Sequence, residues 1–188
     1  SSDVCSSDLM CAEGGTGYNH CVTMGRSKKI WGPYEKDPEN PIVTSAPGIS
    51  NERHDPDHLK PQYYNPDSLL QKSGHGSYVE TQNGEVYLVH LTSRPFVPEL
   101  CCTLGRETAI QKMTWTKDGW LRMADGSRLA KIQVPQSNLP VCEMPGIPDH
   151  DDFDTQVLGN WYYAPRIMPQ SFADVTARPG YVRLIGQE

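Results

Sequence analysis

Short turn signals between runs of strand-forming residues constrain this chain most strongly. The pairs Asn83-Gly84, Asp118-Gly119 and Asp125-Gly126 lie close together in the middle of the sequence. Asn-Gly and Asp-Gly favour the type I′ hairpin turn, because both residues tolerate positive φ. No apolar period of 3.6 residues extends beyond two helical turns. The sequence therefore predicts antiparallel hairpins in an all-β protein: a sandwich, a barrel or a propeller. The predicted strands are 77–82, 85–90, 108–115, 120–123 and 127–134.

Charge and composition exclude several classes of partner. The chain of 188 residues has a net charge of −6 and a pI of about 5.5. Nucleic-acid binding is not expected, because phosphate contacts need a basic surface. No run approaches the ~20 apolar residues of a membrane-spanning helix, so no membrane partner is predicted. The six cysteines include no C-x-x-C pair, which argues against structural zinc. Reduced cysteines are typical of a reducing compartment such as the cytoplasm, but the sequence does not fix the location.

Four segments follow one another along the chain. Residues 1–9 are a near-repeat of Ser-Ser-Asp without hydrophobic period, and we interpret them as a leader that is foreign to the domain. Residues 10–136 form the main β domain. Residues 137–150 are irregular and proline-bearing, as expected of a linker. Residues 151–188 hold too few strands for a stable domain, which predicts the truncated start of a second one.

Several motifs follow one another in a distinctive order. They are 12–20 (AEGGTGYNH), 32–35 (GPYE) with 40–42 (NPI), 72–77 (KSGHGS), 79–84 (VETQNG), 104–112 (LGRETAIQK), and a tail from 151–154 (DDFD) to 177–184 (ARPGYVRL). Together they cover nearly everything from residue 11 to the end of the chain. In this order and spacing they resemble family 43 glycoside hydrolases of the β-xylosidase and α-L-arabinofuranosidase type.

The resemblance implies a fold and a reaction. Family members have a five-bladed β-propeller, and many add a C-terminal concanavalin-like β-sandwich. This chain would then be a partial propeller followed by a truncated sandwich segment. The implied reaction is hydrolysis of a glycosidic bond with inversion, which needs a general acid, a general base and an Asp that tunes the acid. In the family the base and the tuning Asp precede the Glu-Gly-Gly motif, where this chain has only Asp3 and Asp8. We therefore expect a fragment that retains the acid, lacks the base and is inactive alone.

Three residues match functional positions of the family. Glu13 corresponds to the general acid, which must protonate the leaving oxygen. His75 corresponds to a histidine near the propeller axis that supports the substrate or, in some members, a central cation. Arg106 corresponds to an arginine that reaches the sugar, and its rigid fork of donors suits hydroxyl groups. No cofactor is required by this chemistry, although the resemblance allows a calcium ion near His75.

The expected partner is an oligosaccharide: a xylo-oligosaccharide or arabinose-substituted xylan. The sequence does not separate β-xylosidase from α-L-arabinofuranosidase, and homo-oligomeric assembly of the intact protein stays open. The alternatives are a non-catalytic carbohydrate-binding β module and a purely structural β domain. A binding module would need exposed aromatic rings. The four tryptophans lie mostly in or beside predicted strands, which favours core packing for each: Trp31, Trp115, Trp120 and Trp161.

Overall fold

The computed structural model describes residues 7–15, 17–46, 64–102, 105–143, 146 and 148–186, and within them the fold is all-β. The one helical element in these ranges is a 3-10 helix, Pro169–Ser171. No helix of the described chain is long and apolar enough to span a membrane. The strands are β1 Ser7–Glu13, β2 Cys21–Ser27, β3 Glu35–Lys36, β4 Val43–Thr44, β5 Gln71–Glu80, β6 Val86–Ser93, β7 Glu107–Trp115, β8 Leu121–Met123, β9 Ala173–Asp174 and β10 Arg183–Leu184.

The chain divides into two compact units, Ser1–Leu139 and Pro140–Glu188. The first contains two antiparallel sheets of four strands, β1–β4 and β5–β8. The second is sparse in regular structure and pairs only β9 with β10 among the described residues. Its buried side chains include Leu158 and Val175. Whether it opens a sandwich domain stays a prediction, as do the predicted domain boundaries.

In the first sheet, β2 pairs with β1 along one edge and with the two short strands β3 and β4 along the other. The side chain of Asn40 occupies the break between β3 and β4. Its amide accepts from the backbone N–H of Met24 and donates to the Met24 carbonyl, both at 2.8 Å. The buried Asn40 side chain thus takes the place of a missing strand residue and provides hydrogen-bond partners for the backbone N–H and C=O groups of Met24 in β2.

The second sheet confirms the hairpins predicted at Asn83-Gly84 and Asp118-Gly119 but not their turn type. Gly84 and Gly119 have positive φ (79° and 76°), whereas Asn83 and Asp118 do not. Thr81 N–H donates to the Glu85 carbonyl, and Gly84 N–H donates to the Thr81 carbonyl. The same pair of bonds closes the loop from Thr116 to Trp120. These are three-residue loops with glycine at the left-handed position, so the predicted type I′ turns are wrong. In each loop the threonine hydroxyl accepts a hydrogen bond from the backbone N–H of the residue four positions later, which stabilises the loop.

The predicted strand over 127–134 is also wrong. After Gly126 this segment leaves the second sheet, and its backbone forms an isolated parallel bridge between Leu129 and Thr44 of β4. Thr44 N–H donates to the Arg128 carbonyl, and Ala130 N–H donates to the Thr44 carbonyl. The segment has strand-like composition, but it connects two sheets instead of extending one.

The main core lies between the two sheets of the first unit. One face of the second sheet contributes Val86, Leu88 and Met113, and the first sheet contributes Val22 and Val43. The opposite face of the second sheet is apolar but exposed, at Val79, Val89 and Ile110 among others. Val89 and Ile110 are direct cross-strand neighbours there, beside a groove of about 600 Å³. One sheet therefore has apolar residues on both faces, a pattern typical of a sheet covered on both sides.

Three further sequence-based expectations concern the tryptophans, the leader and the loop over 49–71. Trp120 is buried and Trp115 packs on the core, but Trp31 is 94% exposed, so core packing is wrong for it. Trp31 lies in the tight turn closed by Lys29 and Gly32, outside any strand. The predicted leader overlaps β1, because residues 7–9 pair with β2. Most of the predicted loop 49–71, with His54 and His58, lies outside the described residues.

Candidate active site

Glu13 is the last residue of β1 and directly precedes a tight loop. It pairs across the sheet with Cys21, the first residue of β2. Gly14 and Gly15 follow with φ of 80° and 52°, a left-handed backbone that glycine adopts without strain. A Cβ on Gly14 would lie 2.7 Å from the carbonyl oxygen of Asn19. Glycine is therefore required for the loop to close, and the closed loop fixes Glu13 at this edge.

The carboxyl group of Glu13 is half-buried and oriented by a neighbouring hydroxyl. Thr23 Oγ1 donates to Glu13 Oε1 at 3.3 Å. Burial, and secondly the nearby charge of Glu13, raise the pKa of the Cys21 thiol to about 12. Cys21 is therefore an inert buried thiol and not a nucleophile at neutral pH. The carboxyl group is held in place yet retains access to solvent.

His20, which sequence reasoning did not single out, is the most buried titratable group at this edge, with 2% exposed. Its ring lies against Gly74 of β5: a Cβ there would be 2.4 Å from His20 Cδ2. Burial is the main reason that the pKa of His20 falls to about 4; the Lys72 carbonyl acts against this shift, and the charges of Arg106, His75 and His90 add to it. The imidazole is therefore neutral at physiological pH.

Arg106 contacts this histidine. Its Nη2 lies 2.7 Å from His20 Nδ1 and 3.4 Å from the Lys72 carbonyl oxygen. Arg106 Nε is buried and has no hydrogen-bond partner among the described residues. The neighbouring Glu107 is engaged by Arg94, at 2.9 Å from Nε to Oε2. Arg106 is thus not the partner of Glu107 in a surface ion pair, which leaves its guanidinium for another role.

His75 lies in β5 next to Gly74, where the pairing register with β6 shifts. It is exposed, its φ is 54°, and its charge contributes to the lowered pKa of His20. Lys72, also with positive φ, places its Nζ 4.5 Å from the ring centroid of Tyr18. An irregular β5 thus brings several cationic or polar groups to the edge where β2 begins.

The structure therefore groups Arg106 and His75 around His20, whereas Glu13 is linked to them only through its backbone pairing with Cys21, the residue after His20. We call His20, Lys72, His75 and Arg106, together with Glu13, the edge cluster. Sequence reasoning missed His20, although it stands inside the AEGGTGYNH motif. The available signal was a histidine at the junction of a glycine-rich loop and an apolar strand.

Among the described residues no group of three or more His, Cys, Asp or Glu is placed to hold a metal ion. The calcium ion near His75 stays an untested expectation.

The sequence matches known proteins over the part that contains the edge cluster. Residues 9–121 match the family model of the glycosyl hydrolases family 43. The chain is 39% identical over 196 residues to a putative beta-xylosidase of Escherichia coli K12, covering 96% of this chain and 32% of that protein. It is 37% identical over 180 residues to a non-reducing end alpha-L-arabinofuranosidase of Bacteroides ovatus, covering 95% of this chain and 30% of the relative.

A solved structure agrees with the sequence matches. The chain superposes on the crystal structure of xylan beta-1,4-xylosidase from Bacillus halodurans C-125 with a TM-score of 0.74 and 45% identity, covering 96% of this chain and 31% of the other. This chain is therefore a member of family 43 of the glycosyl hydrolases, of the β-xylosidase and arabinofuranosidase type. It spans about a third of the length of these relatives.

The neutral, buried state of His20 predicts a pH dependence of stability. Unfolded His20 takes up a proton near pH 6.5, whereas folded His20 does so only near pH 4. The unfolded state binds more protons between these values, so the free energy of unfolding falls as the pH falls from 6.5 to 4. This loss should reach up to about 3 kcal/mol. Urea unfolding at pH 7 and pH 4 should show a larger loss for the wild type than for His20→Asn. A matched loss in both proteins would contradict the assignment, and His150→Asn, at an exposed histidine, is the control.

Proposed function

We propose that this chain supplies the general acid and part of the sugar-binding site of an inverting glycosidase that acts on xylo-oligosaccharides or arabinose-substituted xylan. The supporting observation is that Arg106 contacts the buried His20, and that the next residue, Cys21, is the strand partner of Glu13. The relatives named as xylosidases and arabinofuranosidases support the same substrate class.

Glu13 has the features that proton donation requires. An inverting glycosidase protonates the leaving oxygen with one carboxylic acid while a second carboxylate activates water on the opposite face of the sugar. The Thr23 hydroxyl donates to one oxygen of Glu13 and orients the carboxyl group. The adjacent Gly14 and Gly15 have no side chains, so a sugar can approach closely.

Arg106 and His75 are proposed to bind the sugar. The guanidinium presents up to five donors in a fixed plane, and Arg106 Nε has no hydrogen-bond partner within the described chain. Arg106 is only partly buried as a residue, so the remaining donors of its guanidinium can bond to sugar hydroxyl groups. His75, exposed on an irregular part of β5, can hydrogen-bond a second hydroxyl.

The base is proposed to come from outside the described residues. Three carboxylates of the first unit are already engaged by cations: Asp37 by Arg122, Glu85 by Lys112 and Glu107 by Arg94. We further propose that the two four-stranded sheets are blades of a five-bladed propeller, and that the second unit is the start of a β-sandwich. A neighbouring blade would cover the apolar face at Val79, Val89 and Ile110.

Comparing the isolated chain with the complete gene product that contains it tests this proposal. Both are assayed with xylobiose, an aryl β-D-xylopyranoside and an aryl α-L-arabinofuranoside. We expect turnover by the complete gene product and none above background by the isolated chain, because general acid catalysis alone supplies only about 10²–10⁴ of a rate enhancement that exceeds about 10⁶. The preferred aryl substrate then decides between xylosidase and arabinofuranosidase.

Two outcomes would contradict the proposal. Robust turnover by the isolated chain would mean that it contains a base; Asp55 and Asp57 would be substituted first, because Asp37 is buried in its ion pair with Arg122. Binding of xylo-oligosaccharide without turnover by the complete gene product would favour the alternative, a non-catalytic carbohydrate-binding β module.

A further inference from the structure

We infer that His20 is a positioning residue: its neutral imidazole holds the guanidinium of Arg106 in the orientation that binds the sugar. This inference rests on the proposed function, because it assigns a consequence to the role of Arg106. It adds a residue that acts through Arg106 and does not itself need to touch the substrate.

The direction of the contact follows from the chemistry of the two groups. A guanidinium carries only donors and stays protonated in proteins. At 2.7 Å from Arg106 Nη2, His20 Nδ1 is the acceptor in the tautomer that carries the ring proton on Nε2, which is the tautomer we infer. Nδ1 also lies 3.0 Å from the Lys72 carbonyl oxygen, which would accept from it in the other tautomer; the shorter distance to Arg106 favours the Nε2–H form. The Lys72 carbonyl instead accepts from Arg106 Nη2, at 3.4 Å.

This arrangement needs a histidine that stays neutral beside a permanent positive charge. A protonated imidazole has no acceptor nitrogen and would repel the guanidinium. The ring is almost completely buried, and its pKa lies well below neutrality, so the acceptor persists over the working pH range. His20 thereby constrains one end of the Arg106 fork, while Nε has no hydrogen-bond partner in the part of the chain that the structure describes.

Gly74 provides the space that the His20 ring occupies. Its φ is not in the left-handed region, so alanine there is acceptable to the backbone. The obstacle is steric: an added Cβ would lie 2.4 Å from His20 Cδ2 and 2.5 Å from Nε2. Gly76, two residues on, instead faces the core, where a Cβ would lie 2.9 Å from side-chain carbons of Leu88 and Val22. The two glycines thus provide matched alanine substitutions with different expected effects.

The experiment measures KM and kcat for the preferred aryl glycoside with variants of the complete gene product. His20→Leu, which removes the acceptor, should raise KM by about 10- to 100-fold, the range expected when a charged donor loses its partner. His20→Asn should restore most of the binding, because its amide oxygen can occupy the position of Nδ1. Gly74→Ala should reproduce the rise in KM by displacing the ring, whereas Gly76→Ala should lower Tm and leave KM unchanged.

Nitrogen-15 NMR of the histidines gives a readout that does not depend on activity. We expect His20 to be the Nε2–H tautomer from pH 7 down to about pH 5. An Nδ1–H tautomer would overturn the inference, and so would an unchanged KM in His20→Leu. Arg106→Lys separates this failure from that of the proposed function. If it leaves KM unchanged, Arg106 does not bind the sugar and the proposed function fails at this residue. If it raises KM while His20→Leu does not, only the role of His20 is overturned.

Discussion

Replacing Glu13 by Gln in the complete gene product is expected to lower kcat/KM for xylobiose by about 10²- to 10⁴-fold, the range that general acid catalysis contributes. Gln has the same shape as Glu and can still accept from Thr23, but it has no proton to transfer. An aryl glycoside with a good leaving group should lose much less activity, because a nitrophenolate departs without protonation. The basic limb of the pH–rate profile should disappear with the acid.

Glu80→Gln is the control for this substitution, because Glu80 is exposed at the far end of β5. Its kinetics should equal those of the wild type. If Glu13→Gln slows both classes of substrate equally and leaves the pH profile intact, Glu13 positions the substrate and is not the acid. Unchanged kinetics with xylobiose would remove Glu13 from the active site.

Removing the carboxyl group of Asp37 is expected to have the largest effect on stability. Its side chain is completely buried, and Arg122 donates to it from Nη1 at 2.5 Å and from Nη2 at 2.8 Å. This pair joins the loop after β3 to strand β8 of the other sheet. Asp37→Ala should lower the free energy of unfolding by about 3–5 kcal/mol, because Arg122 would remain largely buried and lose its main partner.

Glu39→Ala is the matched control for Asp37→Ala. Glu39 lies 3.4 Å from the same Arg122 guanidinium, but its side chain is 61% exposed. An exposed ion pair contributes about 0–1 kcal/mol, so this variant should be nearly as stable as the wild type. Denaturant unfolding of both variants in the complete gene product makes the comparison. Equal losses in the two would show that the buried bidentate pair does not hold the sheets together.

Local sequence signals predicted the second sheet well, because a hairpin is determined by neighbouring residues. The glycines of the pairs Asn83-Gly84 and Asp118-Gly119 fixed where the chain reverses. The turn type was predicted wrongly, since the threonine hydroxyls at Thr81 and Thr116 favour a longer loop that the dipeptide does not reveal. The family motifs predicted the membership that the comparisons show.

Long-range contacts could not be predicted in this way. The segment after Gly126 has strand-like composition, but its partner is Thr44, which is far away in sequence. His20 meets Gly74 and Arg106 through the packing of separate strands, so no spacing rule connects them. Residues 7–9 form part of β1 through backbone groups, and the composition of the Ser-Ser-Asp repeat gives no sign of this pairing.

The most direct test of the account is a crystal structure of the complete gene product as the Glu13→Gln variant with xylobiose bound. The account predicts that the side chain at position 13 lies within hydrogen-bond distance of the glycosidic oxygen. It also predicts that Arg106 donates to a sugar hydroxyl while His20 Nδ1 accepts from its Nη2. A sugar bound at another site, out of hydrogen-bond reach of both residue 13 and Arg106, would contradict the assignment of the edge cluster as the active site.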